Sequence, residues 1–339
     1  VAGSDSYVGI DIGGTTINVG VVDDHGVTRA AQSVPSQLDL GLEAGLSTLY
    51  EAVDAVVAQS DGGWKRIQAI GVAAPGTMDI PAGIVFHPFN LPGWENLPLR
   101  DRVAERFGMP TVLQNDANAA AFGEYWVGAG RDVRSLMFWT LGTGIGGGIV
   151  LNGEIMTGAH SHGGECGHMI VQMDGGERSP HGIHGSLELY AGARALVRRC
   201  REALERGESS LLTEWISGGS ELSPRLLAHA AEAGDELSER LIMETARYLA
   251  IGTINIMHTV NPEMVVFGGA MTFGRNETEL GQRFLQRIRD VIAAHGFPIP
   301  AHRTLIDFAS LGASAGYIGA AGCARQALRP ASMRRGDST

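Results

Sequence analysis

Residues 8–22, VGIDIGGTTINVGVV, and residues 136–151, LMFWTLGTGIGGGIVL, share one design: a β-rich run, a glycine turn and a second β-rich run. The second copy follows the first by about 130 positions, at the scale of an internal repeat. Aligning the copies sets Asp11 opposite Thr140, Gly13 opposite Gly142 and Thr15 opposite Gly144. Each is followed by a further turn, His25-Gly26 and Asn152-Gly153. A chain built this way is expected to fold as two related α/β halves, each opening with a hairpin. The stretches between and after the repeats agree. Residues 42–58 read as an amphipathic helix, 67–73 as a strand ended by Pro75-Gly76, and 111–113 as a strand. Asn115-Asp116 then opens a helix that stops near Gly128. Helical periodicity returns at 187–206 and 235–260. Residues 264–271, MVVFGGAM, read as a buried strand entering a Gly-Gly turn, and 311–327 as a final helix rich in small residues. Alternating strands and helices imply an α/β class with mixed sheets flanked by helices. The domain boundary is expected near residue 117: residues 1–117 and the returning helix 311–327 in a smaller domain, 118–310 in a larger one, and a disordered tail at 328–339.

Composition narrows the function. Glycine supplies 48 of 339 residues, roughly twice ordinary usage, in clusters that suggest turns and close backbone approach to ligands. A formal net charge of -11 argues against nucleic acid as the partner. Three widely spaced cysteines, Cys166, Cys200 and Cys323, make no disulfide framework and point to a reducing, cytoplasmic setting. No apolar run reaches about 18 residues, so no membrane span is expected. Residues 1–7 lack the basic-then-apolar pattern of a signal peptide.

The chemistry sits in the glycine loops and the carboxylates beside them. In Asp11-Ile12-Gly13-Gly14-Thr15-Thr16, adjacent glycines admit phosphate to main-chain N–H groups, the two hydroxyls add donors, and Asp11 at a strand end suits a hydrated Mg²⁺. The bland alternative is a hairpin turn and nothing more. The second loop, Gly142-Thr143-Gly144, favours the ligand reading, because two such loops clamp a polyphosphate. Gly142, Gly144 and Gly147 also satisfy G-x-G-x-x-G, with Glu165 about 20 residues on. That fingerprint must open a helix, whereas Gly148–Leu151 continues as strand. No G-x-x-x-x-G-K-[ST] run occurs. Asn115-Asp116 at a strand-to-helix junction reads either as a helix cap or as a general base, and the two are compatible if main chain does the capping. Glu165, His168 and Glu188, near glycine turns, suit a polyol or else are scattered polar loop residues.

With these residues in view the chain resembles the ROK family of sugar kinases and repressors, within the actin-like ATPase (ribonuclease H-like) fold. The resemblance runs from about Val8 to Ala324. It rests on DIGGTT (11–16), APGTMD (74–79), FNLPGW (89–94), QNDANAAA (114–121), LGTGIGGGI (141–149), GGECGHM (163–169), LELYAG (187–192) and VVFGGAM (265–271), all in order. It implies two lobes with the active site in the cleft. It implies Asp116 as catalytic base, and Gly76, Asn90, Asn115, Glu165, His168 and Glu188 as sugar contacts. It implies that Asp11 with Gly13, Gly14, Thr15 and Thr16, and the loop Gly142, Thr143 and Gly144, hold the phosphates of ATP and Mg²⁺. Gly268 and Gly269 would lie against the adenosine end.

FNLPGWENLPL is similar to the glucokinase branch, so glucose is the expected acceptor, with N-acetylmannosamine or another amino sugar as the alternative. A non-catalytic sugar-binding regulator is the alternative of another class. Family repressors carry a DNA-binding domain before the first loop; here only about ten residues precede Asp11, so the kinase branch is expected. A homodimer is implied as well. One departure stands out. The family's zinc motif, C-x-C-G-x-x-G-C, has Ser179, His181 and Ser186 at its cysteine positions. Residues 160–184 still hold five of the eleven histidines, and a weak site from His168, His181 and His184 is the alternative to no zinc at all.

Overall fold

The computed structural model of the chain describes residues 5–88, 91, 93–179 and 182–329. The expected disordered tail at 328–339 lies, from residue 330 on, outside them. In chain order the elements are β1 (Ser6–Ile12), β2 (Thr16–Asp23), β3 (Thr28–Pro35), α1 (Leu42–Gln59), β4 (Ile67–Ala74), β5 (Thr77–Asp79), β6 (Ile84–His87), α2 (Leu99–Phe107), β7 (Thr111–Asn115) and α3 (Asp116–Trp126). There follow β8 (Ser135–Leu141), β9 (Ile145–Leu151), β10 (Glu154–Ile155), α4 (Glu188–Ala191), α5 (Ala193–Glu205), α6 (Leu211–Ser217), α7 (Pro224–Glu232) and α8 (Glu236–Val260). The chain closes with β11 (Met264–Gly269), α9 (Glu279–His295), α10 (Pro298–Arg303), β12 (Leu305–Phe308) and α11 (Ala315–Leu328). Two compact units emerge, one from residues 1–138, 148–164 and 310–339, the other from 139–147 and 165–309.

The repeat read from the sequence is a repeat of topology. One sheet has the order β3-β2-β1-β4-β7 and the other β10-β9-β8-β11-β12, so each hairpin takes the same place in its sheet. In the first sheet β1 pairs antiparallel with β2 and parallel with β4, and β4 pairs parallel with β7. In the second, β9 and β10 are antiparallel and β11 and β12 parallel.

Strand alternation decides what covers the first sheet. Val8, Ile10 and Ile12 point into an apolar cluster completed by Leu46, Leu49, Val53 and Val57 of α1. Tyr7, together with Val22 and Ala69, packs with Tyr317, Ile318, Ala321 and Ala324 of α11. Here the glycine surplus acquires a use beyond turns and ligand contact. A Cβ on Gly9 would stand 1.8 Å from the Tyr317 carbonyl oxygen, and one on Gly71 1.8 Å from that of Ala320. A Cβ on Gly319 would stand 1.6 Å from the Ala119 oxygen of α3. Helix α11 therefore lies backbone-to-backbone against β1, β4 and α3. The fully buried Glu124 of α3 holds the approach to α11, accepting from Ser310 N–H (3.1 Å), Ser310 Oγ–H (3.0 Å) and Leu311 N–H (2.7 Å).

Candidate functional site

Parallel register places the first unit's polar groups. Asp11 on β1 pairs with Ala73 on β4, which pairs with Gln114 on β7, and Ala74 pairs with Asn115. Asp11 and the Asn115-Asp116 step thus sit at the carboxyl ends of parallel strands, where α/β sheets bind ligands, with one strand between them, a spacing of roughly 10 Å.

Asp11 follows Tyr7 and Gly9 on the face covered by α11. A Cβ at Gly316, in the first turn of α11, would meet the Asp11 carboxylate at 2.3 Å. Burial pushes the carboxyl up to about 6, and Asn18 Nδ2, donating to Oδ2 at 3.4 Å, works against that. A desolvated carboxylate without a cationic side chain beside it among the described residues fits a hydrated Mg²⁺ with phosphate oxygens, which needs only one or two protein carboxylates. The adjoining loop is closed by Gly13 N–H donating to Thr16 O at 2.8 Å. Ser36 anchors it from behind: its N–H donates to Thr15 O (2.9 Å) and its Oγ–H to Gly14 O (3.0 Å). Gly14, Thr15 and Thr16 themselves are exposed. Asn18 and Gly316 fall in segments read only as hairpin strand and small-residue helix, and Ser36 in none; nothing in their local pattern marks them as site residues.

Of the two readings of Asn115-Asp116, capping falls to the Asn115 side chain, its Oδ1 accepting from Asn118 N–H at 3.1 Å. Asp116 is the first helical residue, half-buried, with Oδ1 accepting from Ala117 N–H at 2.8 Å. The cap and the candidate base are therefore separate side chains. Gly76 has φ 90°, and a Cβ there would lie 2.7 Å from Pro88 Cα, so only glycine fits. Asn90 lies outside the described residues.

In the second unit the loop Gly142–Gly144 closes with Gly142 N–H to Gly144 O at 3.0 Å and runs directly into strand β9 rather than a helix, which removes the dinucleotide reading. Glu165 precedes and His168 ends a single 3₁₀ turn, Cys166–His168, with His168 Nε2 3.8 Å from Glu165 Oε2. Burial, then the Glu165 charge, pushes the Cys166 thiol up to about 12, which disfavours it as a nucleophile near neutrality. Glu188 opens α4 and turns toward the loop, its Oε2 accepting from Ile145 N–H at 2.9 Å. Gly268 is buried and Gly269 has φ 90°, its hypothetical Cβ 2.3 Å from Leu141 O. Just beyond, a cavity of 420 Å³ is lined by Met271, Phe273 and Thr278 on one side and Arg225, Ala228 and His229 on the other.

The described residues do not fit zinc. Among the described residues no three His, Cys, Asp or Glu side chains are grouped closely enough to hold a metal. His184 Nε2 accepts from Arg178 Nε at 2.9 Å, and Ser179 Oγ accepts from Ile183 N–H at 3.1 Å. His168 Nδ1 and Ser186 Oγ are buried without hydrogen-bond partners, but a hydroxyl is a poor Zn²⁺ ligand beside a thiolate. His181 lies outside the described residues. Protein purified without chelators should carry well under one zinc per chain by plasma mass spectrometry; a stoichiometric content would show that a site forms despite the lost cysteines.

A duplicated hairpin-led sheet, with carboxylates and glycine loops at its strand ends, defines a member of the actin-like sugar kinase class. The chain belongs to the ROK family, whose model matches residues 7–327. It is 32% identical over 334 residues to a glucokinase of Halalkalibacterium halodurans, covering 98% of each chain. Among solved structures it is similar to a ROK hexokinase from Thermus thermophilus, at 33% identity and TM-score 0.79 over 95% of this chain and 99% of that one. It is also similar to a ROK family glucokinase from Streptomyces griseus, solved in complex with glucose and AMPPNP, at 32% identity and TM-score 0.77, with 95% and 99% covered.

Proposed function

We propose that this chain is an ATP-dependent hexose kinase that converts glucose to glucose 6-phosphate. The observation that carries the reading is the strand-end row in which Asp11, beside a phosphate-type loop, is followed two strands away by Asp116. The glucokinase and hexokinase relatives support it. Asp116 accepts the proton of the attacking sugar hydroxyl as its oxygen forms the new P–O bond to the γ-phosphorus and ADP departs. Glu165, His168 and Glu188, with Gly76, Asn90 and Asn115, bind the sugar. The 13–16 and 142–144 loops take the phosphates, and the cavity beyond Gly268-Gly269 takes the adenosine end. Asp11 would hold Mg²⁺, which when bound would neutralise phosphate charge.

Three free cysteines support work in a reducing cytoplasm. Among the described residues no helix is long and apolar enough to cross a membrane. We further propose a homodimer, to be checked by sedimentation equilibrium.

The deciding experiment is a coupled ADP-release assay over glucose, mannose, fructose, N-acetylglucosamine and N-acetylmannosamine. Glucose should give the highest kcat/KM. A preference for an N-acetylated sugar would move the chain to amino-sugar kinases, and no sugar-dependent ADP release would favour a non-catalytic regulator.

A further inference from the structure

Glu188 does not stand apart from the phosphate loop as a dedicated sugar contact would. Oε2 takes the amide hydrogen of Ile145, the first residue after Gly142–Gly144, at 2.9 Å. A Cβ on Gly144 would stand 2.1 Å from that same oxygen, so the carboxylate lies flat against the loop backbone. Two neighbouring contacts complete the grip. Ala193 N–H, just past α4, donates to Gly142 O at 3.0 Å. The carbonyl of Ile145 faces Gly167, where a Cβ would approach to 1.9 Å. The loop is thus held at its first residue by the α4–α5 junction and at its exit by Glu188 and the Glu165–His168 turn.

We propose that Glu188 is a positioning residue for the nucleotide as well as a contact for the sugar: one carboxylate oxygen fixes the Gly142–Gly144 loop while the other receives a sugar hydroxyl, so that sugar and nucleotide bind cooperatively. The proposal rests on the kinase reading above. A carboxylate bound to a backbone amide makes a charge-assisted hydrogen bond, and its direction depends on the rotamer of the side chain. A sugar hydroxyl on Oε1 restricts that rotamer. The conformational freedom lost when the sugar binds need not be lost again when the nucleotide binds, and linkage makes the effect reciprocal.

The test is a titration of AMPPNP with Mg²⁺ into the full chain, without sugar and with saturating glucose. For the wild type, glucose tightens AMPPNP. Glu188→Ala weakens AMPPNP about tenfold even without sugar, the size of one lost charge-assisted hydrogen bond, and abolishes the glucose effect. Glu188→Gln keeps an oxygen for the Ile145 amide and holds sugar-free AMPPNP affinity within about twofold of wild type while glucose affinity falls. Gly144→Ala, which displaces the carboxylate without removing it, reproduces the nucleotide loss. A Glu188→Ala protein that binds AMPPNP as the wild type does without sugar, yet has lost glucose affinity, overturns the proposal and leaves the kinase reading standing. A wild type that binds no AMPPNP at all overturns both.

Discussion

Asp116→Asn should lower sugar-dependent ADP release by about 10²–10⁴-fold in kcat, the usual contribution of a general base, with glucose affinity and thermal stability close to wild type. The structure makes the second half of this expectation sharp. The cap of α3 belongs to Asn115 Oδ1, so the substitution leaves it in place. An asparagine at 116 also keeps an oxygen able to accept from Ala117 N–H, as Asp116 Oδ1 does at 2.8 Å. What the substitution removes is the negative charge, and with it the capacity to take a proton. Steady-state kinetics beside a thermal melt would check it. Turnover near wild type would refute the base assignment, and a large drop in melting temperature would mean that Asp116 carries structural work beyond the bond to Ala117.

The second large effect is on stability. Gly319→Ala should destabilise the fold by about 3 kcal/mol or more, at the upper end of overpacking costs. Because the added carbon would lie 1.6 Å from the Ala119 carbonyl oxygen, it meets backbone that cannot rotate away, and α11 has to move as a body. The same helix leaves no room at Gly9, Gly71 or Gly123, so a shift that relieves one contact tightens another. The carboxylate of Asp11 lies against Gly316, one turn earlier, and Mg-nucleotide binding should weaken together with stability. A melting temperature unchanged from wild type would show that α11 packs less closely than the structure places it.

Period and punctuation account for most of what was legible beforehand. The helix read at 42–58 is α1 at Leu42–Gln59, and the strand read at 67–73 is β4 at Ile67–Ala74. The stretch read as one helix at 187–206 is broken at Gly192 into α4 and α5. Gly192 has φ -72° and ψ 162° there, and its amide closes on Glu188 O. Nothing in an amphipathic pattern reports such a break, because Gly192 turns to suit a loop some fifty residues earlier, with Thr143 O at 3.2 Å from where its Cβ would stand.

The chain by itself determined the paired glycine hairpins, the order of motifs that marks the ROK family, and the identity of the acidic residues, since each is written in consecutive residues and their spacing. Only the tertiary structure decided how those residues are used. It gave the helix cap to Asn115 and left Asp116 distinct from it. It set the half-buried Asp11 against Gly316 and raised its carboxyl to about 6, and it set Ser36 behind the first loop and Glu188 against the second. Local pattern reports which face of a strand or helix turns inward, whereas these contacts join segments far apart in the chain and arise from which surfaces the packed core brings together.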